Sequence, residues 1–414
     1  MLAFVNVLAL RWRPHAAASR ARLEGARFDA RLLAMLGVLA AIWIVFDLLT
    51  GGLFLSSRNL FNLSLQVSVV GIMAAGMILV IVARHIDLSV GSQVGFLGVL
   101  GALVQTAWLA PGNPHAWWLS SLVMLAGGVG IGAVQGALVA YAGIPSFVVT
   151  LGGLLFLRNA AYQLNNGATI APLDGTFQML GGGPNGAIGG AASWALAAAA
   201  VIVLASSTLR GRRRKQRYGV ALMHPAMEAS ILACWAVAIV AFVMAMNGYA
   251  RPGTSDAMGI PVPVLVLIAV TLSITAIAQR HRFGRHVFAV GGDPESAQLA
   301  GIDTRRVVMR VFMLMGLLCG LASIVLTARL NAAASGSGTM MELYVIAAAV
   351  IGGTSLAGGA GTILGGTVGA LVMQSLQSGM VLLGVPSPIQ SMVLAGVLVV
   401  AVWLDTLWRG RGRR

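Results

Sequence analysis

Charge is what this chain lacks most. Of its 414 residues only 9% are charged, and only 12 are Asp or Glu. A soluble domain carries roughly 25% charged residues, so this chain has too little charge to cover a water-facing surface. Its one lysine, Lys215, sits in "RGRRRKQR". A phosphate-cradling loop of the Gly-Lys-Ser/Thr type is therefore excluded, and with it an ATP site of that kind. The two cysteines, Cys234 and Cys319, fall in apolar runs, which excludes a disulfide framework and reads as packing. The six histidines show no helical zinc spacing: His281 and His286 are five apart in a loop. No metal, no cofactor and no catalytic residue is expected.

What the chain has instead is apolar length and glycine. It is 58% hydrophobic and carries 53 glycines, a residue common where membrane helices pack closely. A span needs about 20 apolar residues to cross roughly 30 Å of hydrocarbon. Candidate runs are 32–55, 62–83, 89–110, 118–141, 145–163, 192–208, 228–248, 260–278, 307–328, 342–357, 362–384 and 388–407. Two of them, 145–163 and 342–357, are short enough to be tilted or re-entrant. The expected fold is all-α, a polytopic membrane bundle of ten to twelve spans over 32–408. A basic arm (1–31) and a basic tail (409–414) flank it.

The net charge of +15 raises the question of a nucleic-acid partner. The basic residues answer it by their placing. Twenty-two of 27 fall in four clusters, at 11–31, 210–217, 280–310 and 409–414. These flank apolar runs, as the positive-inside rule requires, and no base-stacking aromatics accompany them. No nucleic acid is expected. Even numbers of spans separate the clusters, so all four share one side and both termini are expected in the cytoplasm. The loops 164–191 and 249–259 then lie outside. Residues 210–217 are expected to be a solvated basic loop, fixing topology and touching membrane lipid headgroups.

Three stretches carry candidate chemistry. In "VARHIDLSVGSQ" (82–93), Asp87 is placed to cap a helix start with Arg84 neutralising it. Ser89, Ser92 and Gln93 would point hydroxyls and an amide into a path. In 144–167, Thr150, Asn159 and Gln163 offer the hydroxyl and amides that suit a polyol. In 283–307, Asp293 reads as N-cap, Pro294 as the first helical residue, Glu295 as a first-turn acid and Gly301 as the glycine after the end. That helix has about seven residues, marginal alone in water, and should need a surface to dock on.

Four blocks, "IDLSVGS" (86–92), "PSFVVTLGGLLFLRN" (145–159), "GGDPESAQLAGI" (291–302) and "GGTSLAGGAGTILGGTVGAL" (352–371), stand in the order found in the permeases of bacterial carbohydrate ABC importers. The chain resembles the ribose/xylose/galactose branch over roughly 35–408. Its basic arm, the loop 169–183 and the extra segment near 184–250 resemble the xylose type most closely. The resemblance implies a multi-pass inner-membrane subunit that imports D-xylose or a related pentose by alternating access. It also implies a periplasmic sugar-binding protein, a cytoplasmic ATP-binding subunit and a permease homodimer as partners. The block containing Gly292, Asp293, Pro294, Glu295, Ala300 and Gly301 resembles the family's ATPase-coupling loop, within 280–306. Asp293 stands where many relatives have Asn, a change the capping role survives. The competing class is a proton-coupled secondary transporter using Asp87 and His85 as a relay.

Overall fold

The computed structural model describes residues 34–412 apart from 110–111, 184 and 220–223, with backbone alone over 404–412. The basic arm 1–31 lies outside the described residues. Helices follow the twelve apolar runs one for one, and among the described residues there is no strand, only three isolated bridges. In chain order they are α1 Ala34–Leu49, α2 Ser57–Val82, α3 Val90–Leu103 closing in a π turn at Val104–Trp108, α4 Ala116–Ala140 and α5 Ser146–Asn165. Next come the short α6 Gly175–Met179, then α7 Gly190–Arg217, α8 Pro225–Asn247 and α9 Val262–Arg280. α10 Arg282–Gly292 and α11 Pro294–Leu299 precede α12 Thr304–Leu330, α13 Met341–Ile351, α14 Ile363–Leu382 and α15 Ser387–Gly412.

Eight of these helices are long and apolar enough to cross a bilayer unaided. α2 is the hub. Its 26 residues rise about 39 Å, and 94% of its most apolar window is buried among α9, α12, α13 and α14. α7 and α8 are the reverse, a hairpin with only 11% of each window buried. An apolar helix left uncovered by protein is a lipid-facing helix.

One expectation needs correction. Residues 210–217 are not a loop but the last turns of α7, where basic side chains complement the negative helix end. Arg212 reaches across the hairpin to Glu228 at 2.8 Å. The run 342–357 is short, as expected: α13 has 11 residues, about 16 Å of rise. The preceding ten residues, 331–340, descend without helix alongside α3, with Ala333 paired to Ile170 at one end and Gly338 against Gly91 at the other. One crossing is thus irregular over its first half and helical over its second.

Close packing of α4 on α12 depends on bare backbone. A Cβ on Gly128 would stand 2.2 Å from the carbonyl oxygen of Gly316, and one on Gly132 2.2 Å from that of Phe312. Gly316 and Gly320 return the contact from α12. Small residues four apart on each helix let the axes approach and supply van der Waals contact where the lipid offers no hydrophobic driving force. Gly128→Val is therefore expected to lower the thermal unfolding midpoint in detergent, at a cost of about 1–3 kcal/mol from overpacking. Gly130→Ala, where nothing lies within 4 Å, is expected to leave the midpoint unchanged or slightly higher, since Ala favours helix.

Candidate functional site

The stretch between α2 and α3 does two jobs with neighbouring charges. Arg84 has a left-handed backbone, φ 67°, unusual for a residue with a Cβ. That turn swings its side chain away from Asp87 and onto the end of α10. Its Nε donates to the carbonyl of Gly291 at 2.7 Å and its Nη2 to that of Gly292. A guanidinium on unpaired carbonyls at a helix C-terminus satisfies them and suits the dipole there. The expected pairing of Arg84 with Asp87 is therefore corrected: the cation is committed to α10. Around it, Gly291 lies directly on the backbone of Val82, and the Gly359 N–H donates to the Val82 carbonyl at 2.9 Å.

Asp87 points the other way, into the bundle. It is not the N-cap of α3. Ser89 holds that position and makes no side-chain cap bond. Asp87 Oδ1 instead accepts from the Ser89 N–H at 2.9 Å and from Ser89 Oγ at 2.6 Å. Ser89 Oγ accepts in turn from Gln93 Nε2 at 2.8 Å and from Gln135 Nε2 at 2.9 Å. Gln93 also donates to Gln135 Oε1 at 3.1 Å. All four residues are buried, yet Asp87 Oδ2 and Gln93 Oε1 have no partner. Buried polar groups are normally satisfied, so the cluster retains unused acceptor capacity. Thr150 fastens the same stretch to α5, donating to Ser146 and Ile86 carbonyls at 2.9 and 3.2 Å.

Four of the residues singled out in the sequence, Asp87, Ser89, Gln93 and Thr150, thus converge on the start of α3. Ser92 is buried nearby with an unpartnered hydroxyl. Asn159 and Gln163 stand apart on the exposed face of α5, Asn159 bonded to the Leu155 carbonyl of its own helix. Gln135, the residue that closes the cluster, was missed. Its signal was a lone amide in the small-residue run "GIGAVQGALVA" of α4.

The loop between α9 and α12 holds the second half of the site. α11 has the expected form. Asp293 caps it, accepting from the Glu295 N–H at 3.1 Å, Pro294 is its first residue, Ala300 ends it and Gly301 has φ 81°. The Ser296 hydroxyl and backbone amides hold the Asp293 carboxyl below its usual range. α10 was not anticipated. Its signal was Phe283, Val287 and Val290 at helical spacing, and Val287 and Val290 are buried against the bundle while Arg282 and Arg285 are not. α10 is therefore an anchor that presents α11, whose Leu299 is 91% exposed.

Residues 59–402 match the family described as branched-chain amino acid transport system / permease component. The chain is 37% identical to the xylose transport system permease protein XylH of Haemophilus influenzae over 90% of this chain and 95% of the relative. Against XylH of Escherichia coli it is 36% identical over 92% and 93%. Against the ribose import permease protein RbsC of Escherichia coli it is 33% identical over 85% and 87%. No solved structure matches the chain. The chain belongs to this permease family, in its sugar-transporting ABC branch, and is a multi-pass inner-membrane protein.

Arg84→Gln keeps a polar side chain but loses the charged fork, at a cost of about 1–3 kcal/mol for charge-assisted bonds. Hydrogen exchange at residues 289–301 is expected to speed up while α2 and α12 keep their protection. Unchanged exchange at 289–301 would show that the clamp does not hold the loop.

Proposed function

We propose that this chain is the membrane pathway of an ATP-driven importer of D-xylose or a related pentose, working by alternating access between a periplasmic sugar-binding protein and a cytoplasmic ATP-binding subunit. The observation that carries the reading is the Arg84 clamp: an exposed, capped α11 is joined by a charged fork to the backbone entering α3. A docked ATPase moving α11 would pull on the membrane interior. The named activity of the 36–37% identical relatives supplies the pentose.

Sidedness follows from charge. α7 and α9 both run toward the face that carries the 210–217 and 280–306 clusters, since their opposite ends are joined by the Ile260 N–H donating to Ser193 at 2.8 Å. That face is cytoplasmic by the positive-inside rule, as are both termini. A homodimer follows from α5. It packs chiefly on α3 and α4 and leaves Asn159, Tyr162 and Gln163 exposed. Amides facing hydrocarbon are costly. A second copy across this face would cover them and place Asn159 and Gln163 along a shared polar path. Asp87, Ser89, Ser92, Gln93 and Thr150 would then act behind that path, as the polar hinge from which α3 moves.

The test is uptake by proteoliposomes. With the ATPase and binding protein, labelled xylose is expected to accumulate only with ATP. Accumulation by the chain alone on a proton gradient would overturn the reading in favour of a secondary transporter. Gly301→Val tests the coupling loop. The site has open space around it but φ 81°, so valine costs about 1–2 kcal/mol of backbone strain. The variant is expected to insert and bind the loaded binding protein, yet fail to assemble with or stimulate the ATPase. For sidedness, Arg213→Cys on a background lacking Cys234 and Cys319 should resist an impermeant thiol reagent in intact cells and react in inverted vesicles.

A further inference from the structure

The broken crossing leaves space. Because 331–340 hugs α3 and α13 begins only at Met341, the outer half of that crossing is not filled by a helix. A cavity of about 280 Å³ occupies the gap between α2, α12, α13 and α14. It is close to the lower bound of small-molecule pockets, about 300 Å³.

Its lining is not that of a packing defect. Gln66, Arg329, Thr339, Tyr344, Gln374 and Gln377 face it from five separate stretches of chain. Gln374 is only 4% exposed. Among the described residues no hydrogen bond or ion pair engages the side chains of Gln66, Arg329, Tyr344, Gln374 or Gln377. Side chains with this many donors, in the interior of a membrane bundle and unpaired with each other, are kept for something that enters. Val70 and Leu326 provide an apolar wall beside them. Three amides supply donors and acceptors together, and the guanidinium is a flat fork that can hold two adjacent oxygens. No carboxylate lines the cavity to neutralise it.

We infer that this cavity is a holding site for one monosaccharide-sized neutral polyol within each subunit, reached from the external face and separate from the α5 path. Arg329 is two residues from Asn331, whose side chain accepts from the Leu173 N–H of the external loop at 2.9 Å, so the cavity lies near that surface. Amides and the arginine take the ring hydroxyls, and Tyr344 with the aliphatic wall takes the C–H face. The inference rests on the sugar-permease reading and extends it: the permease itself selects the sugar after the binding protein releases it.

The test separates the two. Gln377→Cys, on the background lacking Cys234 and Cys319, is treated with a small water-soluble thiol reagent in proteoliposomes holding the permease alone, so neither ATPase nor transport enters the readout. The reagent is expected to label Cys at 377, and xylose at millimolar concentration to slow labelling, while sodium acetate does not. Adding Gln374→Leu should raise the protecting xylose concentration about tenfold, the effect of a lost hydrogen bond or two. Gel filtration of each variant in detergent shows that the bundle is intact. No labelling at 377, or labelling that xylose does not slow, overturns the site even where the complete assembly imports xylose. Protection by acetate and not by xylose also overturns it, making the cavity an anion site. Protection by xylose supports the site whatever drives transport, so failure of ATP-dependent uptake counts against the importer reading alone.

Discussion

A charged fork on two carbonyls holds the working parts of this protein in register. Without Arg84, α10 would end in unpaired carbonyls at the membrane surface, held to the bundle by the apolar packing of Val287 and Val290 and by glycine contacts at Val82. With it, the α10–α11 segment and the entry to α3 are tied together. The left-handed backbone of Arg84 is the local cost of that arrangement. An L-residue at φ 67° is strained by about 1–2 kcal/mol, and the charge-assisted bonds offset it. The same turn leaves Asp87 free to face inward. Adjacent opposite charges in the sequence therefore do not neutralise each other; each is spent on a different partner, one at the surface and one in the interior.

Much of the bundle was legible because hydropathy is local. Each apolar run of the sequence became a helix, though α7 runs nine residues past its expected end at 208 and α13 stops six short of 357, and the α11 cap could be read from Asp293, Pro294 and Gly301 because capping involves only near neighbours. What could not be read was whatever depends on distant chain. Arg84 and Gly291 are 207 residues apart, and no pattern in "ARHID" announces that partner. Gln135 closes a cluster with Ser89 from 46 residues away. Asp87 was misplaced by two residues because Asp and Ser are both good N-caps, and the sequence does not say which of them starts α3. The cavity polar residues were invisible as a group, since Gln66, Arg329 and Gln374 are single polar residues in three different spans.

Glycine is distributed according to the same logic. At Gly128, Gly132, Gly316 and Gly320 it lets two helices touch backbone to backbone, which makes α4 and α12 a rigid wall. At Gly291, Gly358 and Gly359 it lets three chain segments meet at Val82 and Arg84, where a side chain would push the end of α10 off its seat. At Gly301 it ends a helix. The first set resists motion; the second sits at a joint.

Irregular backbone inside a membrane is tolerated only where protein or a polar cavity surrounds it, and among the described residues 83–89 and 331–340 are two stretches of this kind. They meet. A Cβ on Gly91 would stand 2.3 Å from the Gly338 carbonyl oxygen, and one on Gly338 2.3 Å from that of Gly91. Main chain meets main chain between the start of α3 and the approach to α13, with the Glu342 carboxylate as close to Gly91 as the Gly338 carbonyl, and close-packed atoms transmit displacement instead of absorbing it. Contact thus runs unbroken from α10 to the Arg84 fork, along 85–89 to Gly91, across to Gly338, and on to Thr339, Met341 and Tyr344 at the cavity. These two breaks bring the surface loop and the cavity into one line of contact, beside long uninterrupted helices such as α2.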